Sequence, residues 1–151
     1  MNLEKLKEYR NLSDGFIQEI GLEVTEVTDG EAIGVLQLEE RHGNPIGSIH
    51  GGCLFSVADT VGGVAATSKG RMVTTIDGSM HYLNAARVGD LLTVHAKVIK
   101  SGKSFAVVDV TLSNQEQKLL STATLTYHYM SKDFDLDQMV EELKKAKKKQ
   151  M

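Results

Sequence analysis

The sequence predicts an α+β fold in which a curved antiparallel sheet wraps around one long central helix. Two patterns lead to this expectation. Apolar residues recur at helical spacing in one long central segment, at positions 54, 57, 58, 61 and 65. After Gly70 they alternate with polar residues instead, as on strands with one buried face, and short turns separate the runs. Strands joined by short turns pair antiparallel, so the sheet should cover the helix.

Before the central helix we expect a short helix and a hairpin. Apolar residues at helical spacing over residues 3–9 predict a packing helix that ends at Asn11 or at the Ser13-Asp14-Gly15 turn. Apolar and polar residues then alternate on both sides of Asp29-Gly30, which is the favoured composition of a tight hairpin turn. The two strands are predicted over residues 22–27 and 32–39.

After the central helix we expect four strands and a charged terminal helix. Short turns at Ser101-Gly102 and Asn114-Gln115 favour antiparallel pairing of the last three strands. The helix, over residues 133–151, is acidic first and basic last, an order that suits the helix dipole and predicts a solvated helix. The four strands are predicted over residues 72–83, 91–100, 104–113 and 118–129.

Composition restricts the partners and the setting. The 151 residues, 41% of them hydrophobic, fit one domain over residues 1–151 with a core at about residues 20–130. A formal net charge of −3 argues against nucleic acid or an anionic membrane as the main partner. One cysteine, Cys53, cannot form an intrachain disulfide, and the first twenty residues have no apolar core typical of a secretory signal. We therefore expect a cytoplasmic protein.

Metal and nucleotide motifs find little support. The five histidines include no pair at the i, i+4 spacing of a helical zinc site. Gly102-Lys103-Ser104 copies the end of a phosphate-binding loop, but it joins two strands where that motif requires a strand followed by a helix. Cys53 lies near a helix start, where the dipole lowers a thiol pKa, yet the sequence places no catalytic partner beside it. We expect no metal.

The segment from His50 to Asp59 carries the chemistry. Gly51 and Gly52 open the central helix, where bare backbone N–H groups can approach a ligand. On a helical wheel Asp59 lies opposite the apolar stripe among small residues, which indicates close approach by a ligand, a backbone or a second subunit. A structural aspartate, held in a buried ion pair or by hydrogen bonds, is the competing interpretation. An amide that stabilises an oxyanion, beside a carboxylate that attacks or deprotonates water, suits a thioester, because a thiolate leaves without a strong acid.

These residues resemble hotdog-fold acyl-CoA thioesterases of the PaaI/THEM2-like group. The resemblance covers about residues 20–130. It includes Asn44, six residues before His50, the strand start Thr75-Ile76-Asp77 and the strand link at residues 82–90. It implies hydrolysis of an acyl-CoA thioester to free acid and coenzyme A, with coenzyme A as part of the substrate and no separate cofactor.

The resemblance also implies roles for individual residues. Asp59 would be the nucleophile or general base, while the Gly51 amide and the Asn44 side chain polarise the carbonyl. Thr75 would orient the attacking water, and His50 would hold the turn or orient the carbonyl. Residues expected to contact substrate are Gly52, Phe55, Tyr82, Arg87, Lys100 and Lys103, the three cations being candidates for the coenzyme A phosphates. Acyl specificity is expected to depend on Phe55, Met80, Tyr82 and Leu83.

Relatives pair the acid of one subunit with the glycine and asparagine of its neighbour, which implies a homodimer, and two such dimers commonly form a tetramer. Eight residues separate Gly51 from Asp59, about 12 Å of helix rise, so one carbonyl cannot easily touch both. Two other functions stay open. The chain could bind acyl-CoA without cleaving it, or it could be a hotdog hydratase or dehydratase.

Overall fold

All six strands expected from the alternation are present in the computed structural model, which describes residues 1–13 and 15–151. They form one sheet in the order β1-β2-β4-β5-β6-β3, with every neighbouring pair antiparallel. β3 pairs with β6 rather than with its sequence neighbour β4, so it forms one edge of the sheet. The strands are β1 (Glu23–Thr28), β2 (Glu31–Gln37), β3 (Val73–Tyr82), β4 (Leu91–Ser101), β5 (Phe105–Ser113) and β6 (Leu119–Tyr129).

The central helix packs on one face of this sheet, as predicted. Its apolar stripe is buried against the inward-facing residues of β4 and β5, which alternate with exposed positions along each strand. The helix crosses β2 closely at Gly34, where an added Cβ would lie 2.8 Å from the Val61 side chain. The helices are α1 (Leu3–Leu12), α2 (Phe16–Ile20), α3 (Gly51–Thr67) and α4 (Leu136–Lys149).

The hairpin and the N-terminal helix follow the predictions with one addition. Gly30 holds a φ of 85° in the β1–β2 turn, and its N–H donates to the Ser68 hydroxyl at 2.8 Å, which ties the hairpin to the end of α3. α1 forms as expected; Asp14 of the predicted turn lies outside the described residues. α2 was missed because five residues are too few to show a helical period.

The C-terminal helix is less solvated than its charge pattern predicts. α4 begins after Asp135, whose carboxylate accepts the Gln138 N–H at 3.1 Å. It packs on α1, and its residues Leu136 and Val140 are buried. An ion pair between the Lys144 ammonium and Glu8, at 2.7 Å, also joins the two helices. Within the described ranges, no helix is both long and apolar enough to cross a membrane.

Candidate functional site

Asp59 stands half-buried in the middle of α3, with one carboxylate oxygen held by two hydroxyl groups. Its Oδ1 accepts from the Thr75 hydroxyl at 2.7 Å and from the Tyr127 hydroxyl at 3.2 Å. The same Tyr127 proton also points to the Asp59 carbonyl oxygen at 2.7 Å, so it is shared between two acceptors. Oδ2 makes no hydrogen bond within the described part of the chain, which leaves it able to meet water or a ligand.

Strand pairing explains how the two hydroxyls meet. Thr75 on β3 lies directly opposite Tyr127 on β6, so both side chains reach the same turn of α3. The register shifts between Thr75 and Asp77, which makes Ile76 a bulge residue, and such bulges redirect the side chains beside them. Gly62 leaves room for the phenol, because a Cβ there would lie 2.5 Å from the Tyr127 hydroxyl.

Tyr127 is the site residue that the sequence reasoning missed. Burial raises the pKa of its phenol far above the ordinary value, and the charge of Asp59 raises it further. The hydroxyl therefore stays protonated and donates across the working pH range. Its position on the buried face of β6 looks like an ordinary core residue. The available signal was that a buried tyrosine needs a partner for its hydroxyl.

These groups open onto a cleft of about 210 Å³. α3, β3 and β6 form one side of the cleft and contribute Asp59, Thr75 and Tyr127. α1 forms the other side through Leu6, Tyr9 and Arg10. The N-terminal helix, predicted only to pack, is thus a wall of the candidate site.

A second candidate half-site lies at the start of α3. His50 caps the helix, its Nδ1 accepting the Gly52 N–H at 2.8 Å and its carbonyl the Cys53 N–H at 3.0 Å. The Gly51 N–H has no acceptor among the described residues, so one first-turn amide remains available. The Tyr82 hydroxyl donates to the Gly51 carbonyl at 2.9 Å. Gly51 and Tyr82 line a cleft of about 260 Å³, separate from that of Asp59.

Asn44 supports the loop beside this second cleft. Its Oδ1 accepts the backbone N–H groups of Ile46 and Ser48, each at 3.1 Å, and its Nδ2 donates to the Ser48 hydroxyl at 2.9 Å. Ser48 in turn lines the Gly51 cleft. An amide nitrogen carries two hydrogens, so one donor of Asn44 remains for a ligand.

The apolar residues expected to contact substrate divide between sheet and cleft. Phe55 packs on β3, where a Cβ on Gly78 would lie 2.8 Å from its ring. Met80 is half-buried against the core. Leu83 lines the Gly51 cleft together with Tyr82.

The three predicted phosphate cations do not come together within one chain. Arg87 is exposed and follows Ala86, which lines the Gly51 cleft. Lys100 lies near the far end of β4, about 30 Å along the strand from Leu91. Lys103 is exposed beyond that end, and its carbonyl accepts from Arg71 at 2.9 Å.

Neither thiol nor metal chemistry gains support from the geometry. Burial raises the pKa of the Cys53 thiol, although the Arg41 charge lowers it, and the thiol therefore stays protonated at neutral pH. Among residues 1–13 and 15–151, no three histidine, cysteine or acidic side chains are grouped so as to hold a metal ion.

Comparison with known proteins places this architecture in a class. Residues 46–121 match the thioesterase superfamily, and the sheet with its central helix is a hotdog fold. The chain is 31% identical over 102 residues to human acyl-coenzyme A thioesterase 13, covering 66% of this chain and 73% of the relative. It is 30% identical over 109 residues to the Escherichia coli acyl-coenzyme A thioesterase PaaI, covering 72% and 78%.

Solved structures agree. Zebrafish thioesterase superfamily member 2 superposes with a TM-score of 0.78 at 28% identity, covering 86% of this chain and 99% of that one. A Streptococcus pneumoniae thioesterase solved with coenzyme A gives a TM-score of 0.72 at 28% identity, covering 76% and 92%. The chain therefore belongs to the thioesterase superfamily, in the hotdog-fold group of PaaI and thioesterase superfamily member 2.

Proposed function

We propose that this chain hydrolyses acyl-CoA thioesters to the free acid and coenzyme A, with Asp59 as the reacting carboxylate. The observation that carries the proposal is the Asp59 carboxylate itself, which lines a cleft and is fixed through Oδ1 by two hydroxyls. Two named acyl-CoA thioesterases among the relatives support it. The Streptococcus pneumoniae thioesterase has been solved with one aspartate replaced by alanine and with a threonine sixteen residues later replaced by alanine. The same spacing separates Asp59 from Thr75.

In this mechanism the thioester carbonyl lies between the two kinds of half-site. The Gly51 N–H, with Asn44 as second donor, stabilises the negative charge that develops on the carbonyl oxygen. Asp59 then acts in one of two ways. It takes a proton from water while the water oxygen bonds to the carbonyl carbon, or its Oδ2 attacks that carbon directly and water later hydrolyses the mixed anhydride. In both routes the carbon–sulfur bond breaks, and the thiolate of coenzyme A leaves and takes up a proton.

We propose that each site joins Asp59 of one subunit with Gly51 and Asn44 of another in a homodimer. Within one chain the two groups are eight residues apart on α3 and open onto separate clefts. The position of β3 favours this proposal, because β3 is an edge strand whose residues are all exposed or half-exposed. Ile76 and Tyr82 on it are 53% and 54% exposed. An unpaired edge with large apolar side chains is a template for pairing with another chain.

Replacement of Asp59 tests the proposal most directly. Asp59→Asn keeps the shape but removes the base and nucleophile, so kcat for release of free thiol should fall by roughly 10²- to 10⁴-fold. Asp109→Asn is the matched control, since Asp109 also accepts a threonine hydroxyl, from Thr124 at 3.1 Å, on the exposed face of β5. Turnover in Asp59→Asn equal to that in Asp109→Asn would contradict the proposal. Hydration of crotonyl-CoA without thiol release would favour the hydratase alternative.

A single turnover in ¹⁸O-labelled water tests for the direct route. If Asp59 deprotonates water, the acid released in the first turnover carries the label and the protein carries none. If Asp59 attacks directly and water then adds to the Asp59 carbon of the anhydride, the acid carries an unlabelled oxygen from Asp59 and the label remains on the protein. Label on the Asp59 peptide, detected by mass spectrometry, therefore establishes direct attack.

The expected tetramer and the expected cytoplasmic location remain predictions. Association of two dimers into a tetramer is testable by light scattering of the purified protein. A cytoplasmic location is supported by the free thiol of Cys53, which suits a reducing compartment.

A further inference from the structure

Arg10 is a cation that the proposed mechanism does not use. It lies on α1 and lines the same cleft as Asp59. Its side chain is half-buried, and its Nε–H is buried without a hydrogen-bond acceptor among the described residues. Burial lowers the pKa of its guanidinium, which reflects lost hydration, although an arginine stays charged at any working pH.

Two other arginines show what a satisfied guanidinium looks like in this protein. Arg41 donates to the Glu39 carboxylate and to the carbonyls of Glu19 and Ile20. Arg71 donates to three backbone carbonyls, two at and just after the end of β6 and one in the turn between β4 and β5. Arg10 makes no such contact within the described part of the chain. A partly desolvated cation without an acceptor is costly, so an anion in the cleft is stabilised where it meets the terminal nitrogens of this guanidinium.

We propose that Arg10 binds a carboxylate at the far end of the acyl group, so that the preferred substrates are short acyl-CoA thioesters of dicarboxylic acids. This inference rests on the proposed function, since it takes the thioester to be held at Asp59. Arg10 and Asp59 line one cleft, so a short acyl chain attached at the reacting carbon can extend towards the guanidinium. Of the described residues, Arg10 and Asp59 are the charged ones that line this cleft. If Arg10 were absent, an acyl carboxylate would meet only the negative charge of Asp59.

The size of the cleft indicates which anionic group of the substrate Arg10 binds, the carboxylate of the acyl group or the pyrophosphate of coenzyme A. At about 210 Å³ it is smaller than the roughly 300–1,000 Å³ of pockets that hold a whole drug-sized ligand. The pyrophosphate of coenzyme A is separated from the thioester by the full pantetheine arm with its two amides. That arm does not fit in a cleft already occupied by the acyl group. A carboxylate a few methylene groups from the carbonyl does.

A matched pair of substrates tests this subsite. Glutaryl-CoA and its monomethyl ester have similar size but differ in the terminal charge, and their spontaneous hydrolysis is subtracted. Wild-type protein should show about ten- to a hundredfold higher kcat/KM for glutaryl-CoA, the range expected for hydrogen bonds between charged groups. Arg10→Met should lose that preference, mainly through a higher KM for glutaryl-CoA. Arg10→Lys should retain part of the preference.

Controls separate this inference from the proposed function. Lys7→Met removes a cation one turn away that pairs with Glu4, and it should leave the preference intact. Equal kcat/KM for the two substrates in wild type, or the same ratio in wild type and Arg10→Met, overturns the subsite while hydrolysis itself still stands. A change of oligomeric state in Arg10→Met, seen by light scattering, also overturns it, because Arg10 would then serve a subunit contact. If wild type hydrolyses neither substrate, calorimetric binding of the non-hydrolysable thioether analogue of glutaryl-CoA to wild type and Arg10→Met still decides the inference.

Discussion

At the scale of single residues, the site depends on how one carboxylate is kept in place on a helix surface. Asp59 is half-buried, and a carboxylate partly withdrawn from water needs hydrogen-bond donors in place of the lost water. Thr75 and Tyr127 supply those donors to the same oxygen, so the other oxygen is oriented without being occupied. Tyr127 can reach Asp59 only because Gly62 has no side chain.

Gly62→Ala should therefore destabilise the protein although alanine favours a helix. The helical gain is about 1 kcal/mol, whereas overpacking against the Tyr127 hydroxyl 2.5 Å away costs typically 1–3 kcal/mol. Urea unfolding measures the balance, and kcat should fall as the phenol moves from Asp59. In the double variant with Tyr127→Phe the two costs should be less than additive, because the clashing oxygen is gone. A more stable Gly62→Ala would contradict this account.

The phenol of Tyr127 should also make stability fall in alkali. Its pKa is raised in the folded protein by burial and by Asp59, while the unfolded value is about 10. Below a pH of about 10, the raised pKa makes its full contribution to the free energy of unfolding. As the pH rises from there towards the folded pKa, this contribution is lost by up to about 1.4 kcal/mol per pH unit. Urea unfolding at several alkaline pH values should show a steeper decline in wild type than in Tyr127→Phe. Parallel declines would contradict the prediction.

At the scale of elements, the two terminal helices form a unit that supports one wall of the site. α1 contributes Leu6, Tyr9 and Arg10 to the Asp59 cleft, and α4 packs on α1 from the outside. The exposed ion pair between Glu8 and Lys144 adds little, because such pairs are well solvated. The apolar contacts of α4, centred on Val140, carry the docking.

Val140→Ala should loosen this unit. Removing two methyl carbons from a fully buried position costs about 2 kcal/mol, by lost burial and the cavity left behind. Hydrogen exchange should then increase first in α1 and α4, and KM should rise because the cleft wall moves. Glu141→Ala, at the exposed neighbouring position, should stay within about 0.5 kcal/mol of wild type. Unchanged exchange in α1 of Val140→Ala would show that α4 does not support it.

At the scale of the whole molecule, the groups assigned to the proposed site lie in two separate clefts of one chain. Asp59 with its hydroxyls and Gly51 with its free N–H belong to different clefts on the same helix. In a dimer with two-fold symmetry the same contacts occur twice, so two chains would complete two sites.

Mixed dimers should recover activity that neither parent has. Gly51→Pro removes the Gly51 N–H, and proline is tolerated at the first position of a helix. The residue before it, His50, is already extended with ψ 128°, as a residue before proline must be. Gly51→Ala is the control, since it adds a Cβ but keeps the N–H. After subunit exchange, an equal mixture of Gly51→Pro and Asp59→Asn should reach about a quarter of wild-type activity, because half the dimers are mixed and each holds one intact site. No recovery, with exchange verified by mass spectrometry, would place both groups in one chain's site.

Much of this was available from local pattern. The alternation in β4 and β5 and the apolar stripe of α3 predicted their positions to within a few residues, since one buried face imposes its period on the local sequence. The same local reasoning identified Gly51 and Asp59 as candidates, whereas Thr75 became one only through the family resemblance. The contribution of Tyr127 was not identified from the sequence, because it depends on which strand lies beside α3 and on the space at Gly62.

The sequence by itself determined where the helices and strands lie, apart from α2, and which acid is the candidate for the chemistry. The tertiary structure alone decided the strand order, the contact of Thr75 and Tyr127 with Asp59, and the place of Arg10 in the same cleft. The physical reason is the separation along the chain of the residues that determine each feature. Periodicity follows from burial of one face over a few residues, whereas pairing of β3 with β6 and packing of α1 depend on how distant segments fit together in three dimensions.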